Sequence, residues 1–170
     1  MNPVEIEQAL STLTVLVDTR EQPTETLTAR MKSIGFPCKR QKLDFGDYSC
    51  QVTLPCGKLL DFSKQCSIER KMSIDELAIC FTTQRERFTR EFERSKENNA
   101  RVYLLVENGS YEKILAGRYR SKVSPSSLMA SIFAFSARYD CKVVFCKPET
   151  TGRLIREIVY REAKEILKFL

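Results

Sequence analysis

Blocks of apolar and polar positions follow one another along the chain, and their periods predict its elements. A short helical lead-in precedes "LTVLVD" (13–18), a continuous apolar run of strand length ending in "TREQP". Residues 24–34 read as a helix with Leu27, Ala29, Met31 and Ile34 as its apolar positions, and "GFP" stops it. Three extended pieces follow, "CKRQKLDFGDYSCQVTL", "KLLDF" and "CSIERK". The turn signal "PCGK" after the first predicts an antiparallel meander. From Ser73 to Asn98, Ile74, Leu77, Ala78, Phe81, Phe88 and Phe92 keep a helical period and predict one long helix, with acids in its first turn. "RVYLLVEN" (101–108) reads as a strand and "SYEKILAG" as a helix. "SPSSLMASIFAFSARY" reads as a second helix opened by Ser-Pro, "CKVVFC" as a strand, and residues 150–170 as a closing amphipathic helix. Strands first, then helix–strand–helix–strand–helix, predict an α/β fold: a central mixed sheet flanked by helices.

Length and composition narrow this further. The 170 residues suit one domain with its own core, and no repeat or low-complexity segment interrupts them. The first residues lack a basic start and apolar run, and no stretch reaches the length of a membrane span. A soluble, cytoplasmic protein without a membrane partner is therefore expected. A net charge of +6 tilts toward a polyanionic partner. The chain has no His, which removes His-based triads and His-metal sites. Seven irregularly spaced Cys without a CxxC pair fit neither a disulfide framework nor a zinc site and read as small buried residues. Cys141 and Cys146, at odd separation around a strand, should face opposite ways.

The chemistry concentrates in "SIERKMSIDELA" (67–78). On a strand Glu69 and Lys71 share one face and Arg70 points away. A carboxylate beside an ammonium suits phosphodiester hydrolysis: the acid holds a divalent cation and the Lys orients or deprotonates the attacking water. A hard cation needs several oxygens, so further acids must converge. Asp47 in "LDFGDYSC" is expected in a strand of the same meander, within reach of Glu69. Asp18 and Glu21 end the first strand, and Asp75 lies one helical turn beyond Lys71. A second Glu-x-Lys, Glu162-Ala163-Lys164, sits in a helix with no acid-bearing strand beside it and reads as helix surface.

Three motifs in order, Val17-Asp18-Thr19-Arg20-Glu21, Gly46-Asp47-Tyr48, and Glu69-Arg70-Lys71 with Asp75, resemble those of the XPF-type (ERCC4-domain) structure-specific endonucleases, a branch of the PD-(D/E)XK class. The resemblance extends through "RERFTREFER" and "YLLVEN" and covers residues 13–147. It implies a restriction-endonuclease-like fold and Mg²⁺- or Mn²⁺-dependent cleavage of branched, flap or junction DNA. It also implies Asp47 and Glu69 as core metal ligands, with Asp18, Asp75 and Glu21 in support. Lys71 is the implied water-positioning base, and Arg70 and Arg20 the groups that hold carboxylates or contact phosphate. Where many relatives have Gly-Arg in the long helix, this chain reads Thr83-Gln84-Arg85. It looks most like the free-standing nuclease domains of bacteria, phages and mobile elements: one nuclease domain over 1–170, with no helix–hairpin–helix or helicase domain.

Basic side chains supply candidates for the DNA backbone: Arg85 and Arg87 on the long helix, and Arg118, Arg120 and Lys122 in "GRYRSK". Any one such cluster is as well explained as solvated surface. Phe81, Phe88 and Phe92 have the period of buried residues. Phe133, Phe135 and Tyr139 lie on an apolar helix, and that helix or the last one is suited to a homodimer interface. The competing function is a non-catalytic DNA-binding or scaffold partner of another nuclease or helicase; the intact acid set argues for the enzyme. A helicase or DNA-binding partner in trans is the further expectation.

Overall fold

A computed structural model describes residues 1–170. The elements run α1 (Pro3–Ser11), β1 (Thr14–Val17), α2 (Glu25–Ile34), β2 (Cys38–Arg40), β3 (Tyr48–Thr53), β4 (Leu59–Asp61), β5 (Cys66–Lys71) and α3 (Ile74–Phe81). They continue with α4 (Arg85–Glu97), β6 (Arg101–Glu107), α5 (Tyr111–Leu115), α6 (Pro125–Tyr139), β7 (Lys142–Cys146) and α7 (Pro148–Lys168). Seven strands form one mixed sheet in the order β2-β1-β3-β5-β6-β7, with β4 paired only to β3. β1 runs antiparallel to β3 and parallel to β2, while β5, β6 and β7 run parallel to one another. No helix is long and apolar enough to cross a membrane.

Strand alternation divides the core between the two faces. Val102, Leu104 and Val106 of β6 pack with the helices α3–α6, whereas Tyr103 and Leu105 point into the layer of α1, α2 and α7. Cys141 and Cys146 follow the same rule, one in each layer. Phe81, Phe88, Phe92, Phe135 and Tyr139 form an aromatic cluster; Phe88 and Phe135 stack at 5.4 Å. Phe133 is exposed. Gly152 lets α7 lie against α2, because a Cβ there would stand 2.9 Å from the Arg30 carbonyl oxygen.

Four expectations need correction. The first extended piece is two strands: β2 joins the sheet edge beside β1, and residues 41–47 are irregular, so Asp47 precedes β3 instead of lying within it. The meander is a β3–β4 hairpin beside a short β3–β5 pairing, Tyr48 opposite Ile68. The long helix breaks after Phe81. There the Thr82 hydroxyl donates back to the Ala78 carbonyl at 2.8 Å, and Thr82 itself adopts ψ −96°. Glu162 is buried, accepting from the Tyr103 hydroxyl at 2.6 Å and paired with Arg101, because it sits on the sheet-facing side of α7.

Candidate active site

The break between α3 and α4 opens a cleft of about 240 Å³ over the ends of β1, β3 and β5. Arg20, Glu21, Asp47, Glu69, Lys71, Glu76, Arg87 and Glu91 are among its lining residues. Asp47 reaches it through a backbone arrangement that its neighbours impose. Gly46 takes φ +73°, and a Cβ there would stand 2.8 Å from the Ser67 side chain, so only glycine fits this approach to β5. The Asp47 amide then donates to the Ile68 carbonyl, and its carbonyl accepts from the Asp18 amide, each at 2.8 Å. Its Oδ2 accepts from the Arg70 amide at 2.8 Å, while Oδ1 makes no hydrogen bond in the protein.

Glu69 and Lys71 share the cleft face of β5, as strand geometry requires, and Lys71 Nζ donates to Glu69 Oε1 at 2.5 Å. Glu69 Oε2 is left without a partner. Burial pushes the Asp47 carboxyl well above its ordinary range and the Glu69 charge pushes it further. Burial also raises Glu69, although Lys71 opposes it. Burial works against the Lys71 ammonium, but the Glu69 carboxylate outweighs it and the pKa rises. Lys71 stands beside Glu69 as a charged donor, 5.3 Å above the Phe88 ring.

The other expected site residues are placed differently. Asp18 is fully buried: Oδ1 accepts from the Arg20 amide and Nε, each at 2.7 Å, and Oδ2 from the Leu43 amide at 2.6 Å. Burial alone would raise its pKa, but these donors hold it below the usual carboxylate range. Asp18 staples the strand end to the loop carrying Asp47, and its oxygens are occupied. Arg20 lines the cleft yet spends its guanidinium on Asp18 and, at 3.5 Å, on Glu91. Glu21 lines the cleft too, but its Oε2 accepts from the Tyr48 hydroxyl at 3.0 Å and from Arg30 at 3.3 Å. Arg70, expected among the catalytic groups, turns its guanidinium to Glu107 at 3.2 Å and Glu21 at 3.7 Å, and its Nε is buried without a partner. Asp75 does not line the cleft: its Oδ1 accepts from the Arg120 and Ser121 amides at 2.6 and 2.9 Å. Arg87 is at the cleft and Arg85 is exposed at the start of α4, while Arg118, Arg120 and Lys122 are exposed on the 117–123 loop.

Sequence reasoning missed Glu76, Glu91, Gln84 and Cys80 in the cleft wall, and the buried Arg30–Glu21–Tyr48 contact behind it. Glu91 was findable, being three residues from Phe88 on the same helical face. Arg30 was findable from its place between Leu27 and Ile34 on the buried side of α2.

No three acids converge closely enough to hold a metal ion between them. The donor set nevertheless fits a hard divalent cation, which keeps several waters and needs only one or two carboxylates. Asp47 and Glu69 each retain an oxygen free of protein donors, and burial disfavours the charged form of both, a cost that a cation would relieve.

Two solved structures share the fold. XPF from Aeropyrum pernix is 22% identical with a TM-score of 0.63, covering 92% of this chain and 68% of that one. XPF from Aeropyrum pernix in complex with DNA is 23% identical with a TM-score of 0.61, covering 90% of this chain and 66% of that one. These agree with the mixed sheet and its two helical layers as a restriction-endonuclease-like nuclease fold. No curated protein sequence matches the chain. The ERCC4 domain matches residues 17–158, which takes in Asp18, Asp47, Glu69 and Lys71 and nearly every strand of the sheet: the chain belongs to the ERCC4 domain family.

Proposed function

We propose that the protein is a metal-dependent DNA endonuclease that hydrolyses phosphodiester bonds in branched, flap or junction DNA inside the cell. The observation that carries this reading is the single cleft in which Asp47, Glu69 and Lys71 meet, with one unbonded oxygen on each acid. Asp47 and Glu69 would hold Mg²⁺ or Mn²⁺. When bound, the ion supplies a Lewis acid that polarises the phosphoryl oxygen and lowers the pKa of a coordinated water.

The remaining work falls to side chains of this chain. With a cation on Glu69 its hold on Lys71 would loosen, and the Lys71 ammonium would orient the attacking water or neutralise charge growing on the phosphate. Arg87 at the cleft, Arg85 beside it, and the Arg118, Arg120 and Lys122 loop hold the DNA backbone. The Arg70 guanidinium holds Glu107 and Glu21, and that of Arg20 holds Asp18 and Glu91, around the cleft. The DNA complex of the XPF structure supports DNA as the partner of this chain as well. A homodimer, or a helicase or DNA-binding partner in trans, is a further proposal for how branches are recognised.

The test is cleavage of labelled duplex, 3′-flap, splayed-arm and single-stranded DNA with Mg²⁺, Mn²⁺ or EDTA, for wild type, Asp47→Asn and Glu69→Gln. Cutting that needs metal and is absent from both variants is expected, with branched substrates preferred. DNA binding without cutting on any substrate under any metal would overturn the enzyme in favour of a scaffold.

A further inference from the structure

We infer that Asp75 is the positioning residue of a loop, 117–123, that reads the DNA backbone, and not a metal ligand; the inference rests on the nuclease reading above. Asp75 lies in the first turn of α3, where an acid ordinarily serves the helix's own N–H groups. That task is taken: the Ser73 hydroxyl accepts from the Glu76 amide, and Glu76 Oε2 accepts from the Met72 amide at 2.6 Å. The Asp75 carboxylate leaves its own helix instead. It crosses to the loop before α6, where Oδ1 takes the Arg120 and Ser121 amides and Oδ2 lies 3.4 Å from Arg120 Nε. Two backbone N–H groups on one oxygen specify a loop conformation; they do not describe a group awaiting a cation.

The loop's own pattern says what that conformation presents. Tyr119 and Val123 pack against the aromatic core layer, and the Tyr119 hydroxyl donates to the Val123 carbonyl at 2.8 Å. Arg118, Arg120 and Lys122, the alternating positions, are exposed. Residues 117–123 contain no acid, and Asp75 is the only carboxylate paired with any of the three cations. Arg120 keeps 93% of its side chain exposed despite that contact. Three exposed cations on alternate residues of this bending loop form a short basic row suited to backbone phosphates. The clamp that orders them stands four residues from Lys71, so the row is tied to the junction that carries the chemistry. A loop already ordered loses less conformational freedom when DNA docks on it.

The experiment uses the full chain carrying Asp75→Asn or Asp75→Ala, beside the loop variant Arg118→Ala/Arg120→Ala/Lys122→Ala and their combination. Tryptic cleavage at Arg118, Arg120 and Lys122 without DNA is mapped by mass spectrometry. DNA affinity is measured in EDTA over a salt series, and single-turnover cleavage at saturating DNA. The clamp predicts faster loop proteolysis in the Asp75 variants and about tenfold weaker binding, the scale of one newly mobile side chain. The salt slope should shrink by about 0.9 for each phosphate that the loop no longer neutralises. Asp75→Asn should add little on top of the loop variant, since both act through the same cations. The saturating rate should stay within about twofold of wild type. A collapsed saturating rate with unchanged affinity would make Asp75 part of the catalytic centre and overturn the inference. Unchanged loop proteolysis in Asp75→Ala would overturn the clamp by itself. Failure of the wild type to bind DNA would defeat the nuclease reading, and the proteolysis result would still stand apart from it.

Discussion

Glu107→Ala should cost about 3–5 kcal/mol of folding stability, although Glu107 lies outside the proposed catalytic group. Its side chain is 6% exposed. Oε1 accepts from the Thr151 hydroxyl at 2.7 Å, Oε2 from Arg70 at 3.2 Å, and Arg30 stands 3.9 Å away. Arg30 and Arg70 also meet Glu21, so the network holds two guanidiniums and two carboxylates in balance. Removing Glu107 leaves both cations against one carboxylate in a poorly solvated space, the situation in which breaking an ion pair is most costly. Arg70→Met in the same chain restores one cation to one anion. The double variant should therefore be more stable than the sum of the two single effects implies, by about 1–3 kcal/mol. Urea denaturation of the four proteins at a pH where both acids are ionised measures the cycle. A Glu107→Ala effect below about 1 kcal/mol, or strict additivity with Arg70→Met, would refute the claim that Arg70 is held as a structural cation.

Two further outcomes are expected. Gly46→Ala should destabilise by about 1–3 kcal/mol, because its φ of +73° and the 2.8 Å approach to Ser67 both oppose a Cβ. Thermal melts would measure the effect, and activity should fall with it, since Asp47 follows directly. The pH dependence of Asp47 has a definite sign. Its carboxyl is raised in the folded state, by burial first and by Glu69 next, so the native protein binds the proton more tightly than the unfolded chain does. The Asp47 contribution to stability is then lost as pH rises from the unfolded value of about 3.9 through the folded value, and Asp47→Asn lacks that contribution. Melts across that range without metal should show the variant's relative stability growing with pH; a constant difference would contradict the raised carboxyl.

Much of the sheet was legible because its strands are apolar runs that match burial on both faces, as in Val15, Leu16 and Val17. The α2 boundaries were legible from chemistry at each end: the Thr24 side chain caps the start, and Gly35 at φ +71° ends it. The break between α3 and α4 was not, because Phe81 and Phe88 are seven residues apart and keep a helical phase across it. Their rings still meet at 5.5 Å in one cluster, so periodicity is blind to the interruption. Glu69 and Lys71 were legible because strand geometry alone puts them on one face. The destinations of Asp18, Arg70 and Asp75 were not. Each is decided by a partner distant in sequence: Leu43 for Asp18, Glu107 for Arg70, and Arg120 with Ser121 for Asp75. Charged residues in a motif announce that they matter, while the fold decides whether they face a substrate or one another.

Single-turnover cleavage by Asp47→Asn, with DNA binding measured on the same preparation, bears most directly on the central claim. Affinity close to that of wild type in EDTA, together with a Mg²⁺-dependent rate reduced by at least about a hundredfold, is the predicted result. Metal-dependent cleavage by Asp47→Asn at the wild-type rate would contradict it, because hydrolysis would then proceed without the acid on which the cleft is built.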